Sequence, residues 1–174
     1  MILHLNKDEV VPVARLSLEW RTLLTAAMDA RQRAYAPYSG FKVGAAVRTA
    51  TGQMYSGCNV ENASYGLTVC AERVAIWKAV SQGEREIVAL AVVSDSGATP
   101  CGACRQVMHE FAREMPVLVA DTQGNAVLLS IEALLPAPFP TAELLNTSSR
   151  RGSCEQRLGR TSEHLSTRSL REED

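Results

Sequence analysis

Residues 87–94 read Ile-Val-Ala-Leu-Ala-Val-Val-Ser, an almost continuously apolar run rich in valine. A strand with one wet face alternates apolar and polar residues, so an unbroken run of this length predicts a strand covered on both faces. A layer of structure must then lie on each side of it. The neighbouring segments can supply those layers. Trp20, Leu23, Leu24, Ala27, Ala30 and Ala34 recur at intervals of three and four, which predicts an amphipathic helix ending before Pro37. Residues 70–80 repeat that spacing with Ala75, Ile76, Ala79 and Val80, and Gly83 stands where the helix would stop. Pro100 and Gly102 open a third such segment with Val107, Met108, Phe111 and Ala112 apolar. Residues 41–48 and 54–59 are strand-like and joined by a Gly-containing connection of hairpin length. Residues 117–120 form a further buried strand, 127–129 a fifth, and 131–135 a short helix stopped by Pro136. The expected fold class is α/β, a three-layer α/β/α arrangement around a mixed five-stranded sheet.

The chain has 174 residues, a length that suits one domain with a sizeable core. The expected division is an N-terminal extension at 1–15, a folded domain at 16–146 and a disordered tail at 147–174. In that tail only Cys154, Leu158, Leu165 and Leu170 are apolar, too few to bury much surface. Eighteen Lys and Arg against 19 Asp and Glu leave a formal charge of −1, without the basic footprint of a protein that grips many phosphates. No apolar run approaches the roughly 18 residues that cross a bilayer. The expectation is no nucleic-acid partner and no membrane. The opening MILHLNKDEV lacks the basic, apolar, small-residue order of a secretory signal, so the expected location is the cytoplasm, where cysteines stay thiols.

Five cysteines then need a reason to be present. Three fall in two short contexts, Cys70-Ala-Glu-Arg73 and Pro100-Cys-Gly-Ala-Cys-Arg-Gln106, each at the start of an expected helix on either side of the central strand. Helix N-termini lower thiol pKa, and the spacing of Cys101 and Cys104 puts both sulfurs on one side of a first turn. Zinc suits three such thiolates, with one tetrahedral position left open as in hydrolytic sites. Two other readings remain at this point: a structural zinc closed by Cys58 or by His4, His109 or His164, and a redox dithiol at Cys101 and Cys104. Glu72 favours the open site, because it lies two residues from a ligand candidate and could exchange protons with a metal-activated water. On its own it is also a favourable acid in a first helical turn.

Taken with Tyr35-Ala-Pro-Tyr-Ser39, Phe41-Lys-Val-Gly-Ala-Ala46, Gly57-Cys-Asn-Val-Glu-Asn-Ala-Ser-Tyr65 and Leu134-Leu-Pro136, these motifs run in the order of a known family. Between Trp20 and Leu145 the chain resembles the cytidine deaminases, in the small nucleoside-specific branch with a three-cysteine zinc site. The resemblance implies one Zn²⁺ per subunit on Cys70, Cys101 and Cys104, with Glu72 carrying protons as water displaces ammonia from C4 of cytosine. It implies Asn59 and Glu61 on the ribose, Phe41 against the base, the Ala71 backbone N–H on the pyrimidine O2, Tyr65 at the sugar end, and Phe139 reaching a neighbouring subunit's site. Three thiolates leave the zinc site with a net negative charge. Arg73, more than Arg105, matches the arginine that offsets it. The implied partner is a small-molecule nucleoside, the implied assembly a homotetramer, and the implied role pyrimidine salvage. Other expected functions are a deaminase of a modified, antibiotic-type cytosine nucleoside, or a non-enzymatic zinc-binding or redox module. Polynucleotide deaminases share the zinc plan but usually carry His where this chain has Cys70.

Overall fold

The computed structural model describes residues 10–112 and 114–139, so the expectations for 147–174 and Cys154 lie outside the described residues. The chain divides into two units, Met1–Pro138 and Phe139–Asp174. All elements below belong to the first. In chain order they are β1 (Val11–Pro12), α1 (Leu18–Arg31), β2 (Val43–Thr49), β3 (Met54–Cys58), α2 (Ala71–Ser81), β4 (Ile87–Ser94), α3 (Gly102–Phe111), β5 (Pro116–Ala120), β6 (Asn125–Ser130) and α4 (Ile131–Leu134).

The strands form one sheet in the order β1-β6-β5-β4-β2-β3. Only β4 and β5 run parallel, joined through α3, while the other neighbours are antiparallel, so the sheet is mixed as expected. It has six strands rather than five. The additional one is β1, where Val11 and Pro12 pair with Ala126 and Asn125 at the edge. Two residues hold no alternation to read, and Pro12 lacks a backbone donor, which suits only an edge position.

Side chains sort onto two faces by the period of two. Ala45, Val47, Leu90, Val92, Val117 and Val119 pack with α2, α3 and α4 in one cluster. Ala46, Ala89, Ala91, Val93, Leu118 and Ala120 pack with Leu23, Leu24 and Ala27 of α1 in the other. The second face is built largely from alanines, so α1 approaches the sheet closely, and burying Leu23 and Leu24 against it contributes about 2 kcal/mol each. Serine 17 caps α1 by accepting from the Trp20 N–H.

β4 carries the centre of both clusters and ends at Ser94, beside the starts of α2 and α3. Ligand sites in open α/β sheets form at such carboxyl ends. Among the described residues no helix is long and apolar enough to cross a membrane.

Candidate active site

Cys70 is the N-cap residue of α2 and Cys101 that of α3, and neither side chain makes a capping hydrogen bond to a backbone N–H of its helix. Their sulfurs are therefore not consumed in capping. Cys104 lies in the first turn of α3, fully buried. The Cys70 and Cys101 sulfurs stand 3.9 Å apart and those of Cys101 and Cys104 3.5 Å apart, with all three within 4.8 Å of one another. Zinc–sulfur bonds of about 2.3 Å in a tetrahedron place sulfurs roughly 3.8 Å apart, so the donor set fits Zn²⁺ in both chemistry and spacing. Among the described residues no histidine or carboxylate joins the three sulfurs. A structural site closed by Cys58 or His109 is therefore not what these residues build. Cys58 is half-buried and donates its S–H to the Arg33 carbonyl at 3.3 Å.

The sulfurs do not ionise alike. The Cys70 thiol is lowered to about 5, first by its hydrogen bond from Cys104 and then, against burial, by the Arg73 guanidinium. Cys104 is pushed up by that same bond, by burial and by the neighbouring anions. The first negative charge of the cluster thus rests on Cys70, at the positive end of α2. Arg73 reaches it through Nη2, 3.7 Å from Cys70 Sγ and 3.1 Å from the Thr68 carbonyl, while its guanidinium lies 5.8 Å above the Trp77 ring. Its Nε is buried without a hydrogen-bond partner. Arg105 does otherwise. It donates to the Pro100 carbonyl, the Leu134 carbonyl and Thr99 Oγ1, pinning the approach to Cys101 instead of touching a sulfur.

Glu72 follows in the first turn of α2, only 4% exposed. Burial, helped by the Cys70 charge, raises its carboxyl to about 7. It lines a cavity of about 250 Å³ together with Cys70 and Cys101, and Phe41, Asn59 and Glu61 line the same cavity. The Asn59 amide is spent largely on the backbone: Oδ1 accepts from the Val43 N–H at 2.9 Å and Nδ2 donates to the Phe41 carbonyl at 2.8 Å. One amide hydrogen and one lone pair remain for a ligand. Tyr65 does not line this cavity. It is 79% exposed and borders an adjoining hollow of about 380 Å³, with its ring edge-on to Tyr38 at 6.5 Å. Ala71 is fully buried and is not among the residues that line the cavity. Phe139 opens the second unit and is exposed.

A family model described as the cytidine and deoxycytidylate deaminase zinc-binding region matches residues 19–120. The chain belongs to the cytidine deaminase family. A cytidine deaminase of Halalkalibacterium halodurans is 47% identical over 132 residues, covering 74% of this chain and 99% of the relative. One from Sporosarcina psychrophila is 46% identical over 125 residues, covering 70% and 92%. The crystal structure of cytidine deaminase from Burkholderia pseudomallei superposes with a TM-score of 0.67 at 46% identity, covering 71% of this chain and all of that one. Cytidine deaminases of this kind are hydrolases with a zinc-binding region, and the Cys70, Cys101 and Cys104 cluster supplies three donors for the metal. Ser39, Thr68, Ser94 and Thr99 also line the cavity and had no role from sequence. For Ser39 the signal lay in the Tyr35–Ser39 motif, whose partners become visible only through space.

Proposed function

We propose that this chain hydrolyses cytidine and 2′-deoxycytidine to uridine and 2′-deoxyuridine with release of ammonia. The observation that carries this is one cavity lined by the buried Glu72, by Cys70 and Cys101 of the three-sulfur cluster, and by the polar Asn59 and Glu61. Bound zinc, one per subunit, would supply Lewis-acid activation of water. Cys70, Cys101 and Cys104 hold it. Glu72 would take the proton that water loses on attacking C4 and return it to N3, then take the proton of the new C4 hydroxyl and deliver it to the amine, so that C4=O forms as the C4–N bond breaks and ammonia leaves. A carboxyl poised near neutrality accepts and gives back a proton at small cost. Phe41 lies against the base, the Ala71 N–H meets the pyrimidine O2, and Asn59 and Glu61 take the sugar. Tyr65 acts at the sugar end, and Phe139 acts in a neighbouring subunit's site.

A free nucleoside suits the cavity better than a nucleotide. Among the described residues neither the cavity nor the hollow beside it is lined by a Lys or Arg, and the Glu61 carboxylate would repel a phosphate. A homotetramer in the cytoplasm, serving pyrimidine salvage without nucleic-acid or membrane partners, completes the proposal. Exposed Val60 and Trp77, with Val69 and Val74 between them, offer an apolar surface for self-association. We place the catalytic domain at 16–146, between the extension 1–15 and the tail 147–174.

A substrate panel tests the reading: cytidine, deoxycytidine, cytidine monophosphate, cytosine, a modified cytosine nucleoside and short single-stranded DNA, followed by ammonia release. Turnover of the first two is expected. Activity confined to any of the others overturns it.

A further inference from the structure

The strand β3 does not end the pairing that shapes the sugar wall. Beyond Cys58 the chain continues extended. The Tyr35 N–H donates to the Asn59 carbonyl at 3.0 Å and the Glu61 N–H to the Tyr35 carbonyl at 2.8 Å, a short parallel bridge that fixes residues 59–61 against the 35–41 loop. The loop then turns sharply. Gly40 closes it with an N–H bond of 3.0 Å to the Ala36 carbonyl, at φ +70°, a region glycine enters without strain. This turn aims three donors at one carboxylate. Glu61 Oε2 accepts from the backbone N–H groups of Tyr38 at 2.9 Å and Ser39 at 3.3 Å, and Oε1 accepts from the Ser39 hydroxyl.

The Ser39 hydroxyl is itself oriented. Its oxygen accepts from the Phe41 N–H at 3.0 Å, so its single hydrogen is directed at Glu61. An ionised carboxylate offers about four lone-pair sites, and three are now occupied. One remains, on a side chain that lines both the cavity it shares with Cys70 and Glu72 and the hollow beside it.

We propose that Ser39 is a positioning residue: its hydroxyl, set by the Phe41 N–H, locks Glu61 so that a single acceptor site is left for one sugar hydroxyl of the nucleoside. The proposal rests on the reading of Glu61 as the residue that takes the sugar. The carboxyl of Glu61 is held below the usual carboxylate range, first by the Ser39 hydroxyl and then by the Tyr38 N–H, so the acceptor stays charged at neutral pH. Rigidity is what the hydroxyl adds. A glutamate side chain in an exposed loop otherwise loses rotamer freedom on binding, and that cost falls on substrate affinity rather than on the chemical step.

The test compares Ser39→Ala and Ser39→Thr with the wild type on cytidine and on 2′,3′-dideoxycytidine, with zinc content and thermal midpoint measured on each protein. Ser39 is exposed and its alanine variant should load zinc and melt as the wild type does. With cytidine, Ser39→Ala is expected to raise KM about tenfold, or about 1.4 kcal/mol, with kcat within about twofold. With dideoxycytidine, which has no sugar hydroxyl at the 2′ and 3′ positions, KM should be the same in both proteins. Ser39→Thr keeps a hydroxyl and should recover most of the lost affinity. Equal KM changes on the two substrates, a fall in kcat at constant KM, or no recovery with threonine would each overturn the assignment. A wild-type protein inactive on cytidine would instead remove the proposed function itself, before any variant is compared.

Discussion

Glu72 concentrates the chemistry of the site in one carboxyl. A helix of this sequence would form with or without an acid at its second position; what makes Glu72 unusual is that its side chain points into the protein beside three sulfurs. Burial raises its carboxyl from 4.5 to about 7. Because the folded-state value lies above the unfolded one, the neutral acid is the form the fold prefers. In the metal-free protein its contribution to stability is complete below about pH 4.5 and is lost as the pH rises through about 7. The loss is on the order of 3 kcal/mol. Glu72→Gln mimics the neutral acid and should flatten that part of the stability–pH curve, read as thermal midpoints of stripped protein between pH 4 and 8. The same variant should load zinc normally yet lose at least about a hundredfold in kcat, since an amide cannot carry the proton. A variant with near-normal turnover would take Glu72 out of the reaction.

At the scale of elements, the approach of α1 to the sheet depends on what β2 lacks. A Cβ on Gly44 would meet the Ala27 carbonyl and come within 2.6 Å of the Arg31 backbone nitrogen, both main-chain atoms with nowhere to go. Gly44→Ala should therefore push α1 off its alanine-lined face and cost about 1–3 kcal/mol or more, measured as a fall in denaturation midpoint. Pressing a methyl into this contact without such a fall would show that the helix can shift freely.

The elements themselves were legible where the chain repeats a period. Ile87–Ser94 is the strand its composition implied, and each expected helix is present within a few residues. β1 was not legible, because a two-residue edge strand is defined by its partner β6 and not by any pattern of its own. The same limit applies inside the site. Cys70, Cys101, Cys104 and Glu72 could be grouped because two helix starts and one strand bring them together by topology. The engagement of Asn59 with the Phe41 and Val43 backbone, and of Arg105 with the Leu134 carbonyl, joins residues 16 to 29 positions apart. Long-range partnerships of this kind leave no local signal.

On the scale of the whole molecule, the sulfur cluster ties together two parts of the chain that the sheet holds only indirectly. Cys70 and Cys101 are 31 positions apart, and the segment between them contains α2, β4 and the loop into α3. A metal on these sulfurs closes that segment into a loop anchored at both helix starts and neutralises the charge that collects on Cys70. Zinc that binds the folded chain and not the unfolded one stabilises it by RT ln(1 + [Zn]/Kd), about 1.4 kcal/mol for each decade of free zinc above Kd. Chelation should therefore lower the thermal midpoint, and readdition of buffered zinc should restore it in steps that follow the logarithm of free metal. Cys104→Ser should lose this dependence, because a serine hydroxyl is a poor donor for zinc. Cys58→Ser should keep it, since that thiol bonds to the Arg33 carbonyl and, among the described residues, is no part of the sulfur cluster. A midpoint that ignores zinc in the wild type, or a Cys58 variant as insensitive as the Cys104 one, would show that the three thiols do not act as the metal clamp between α2 and α3.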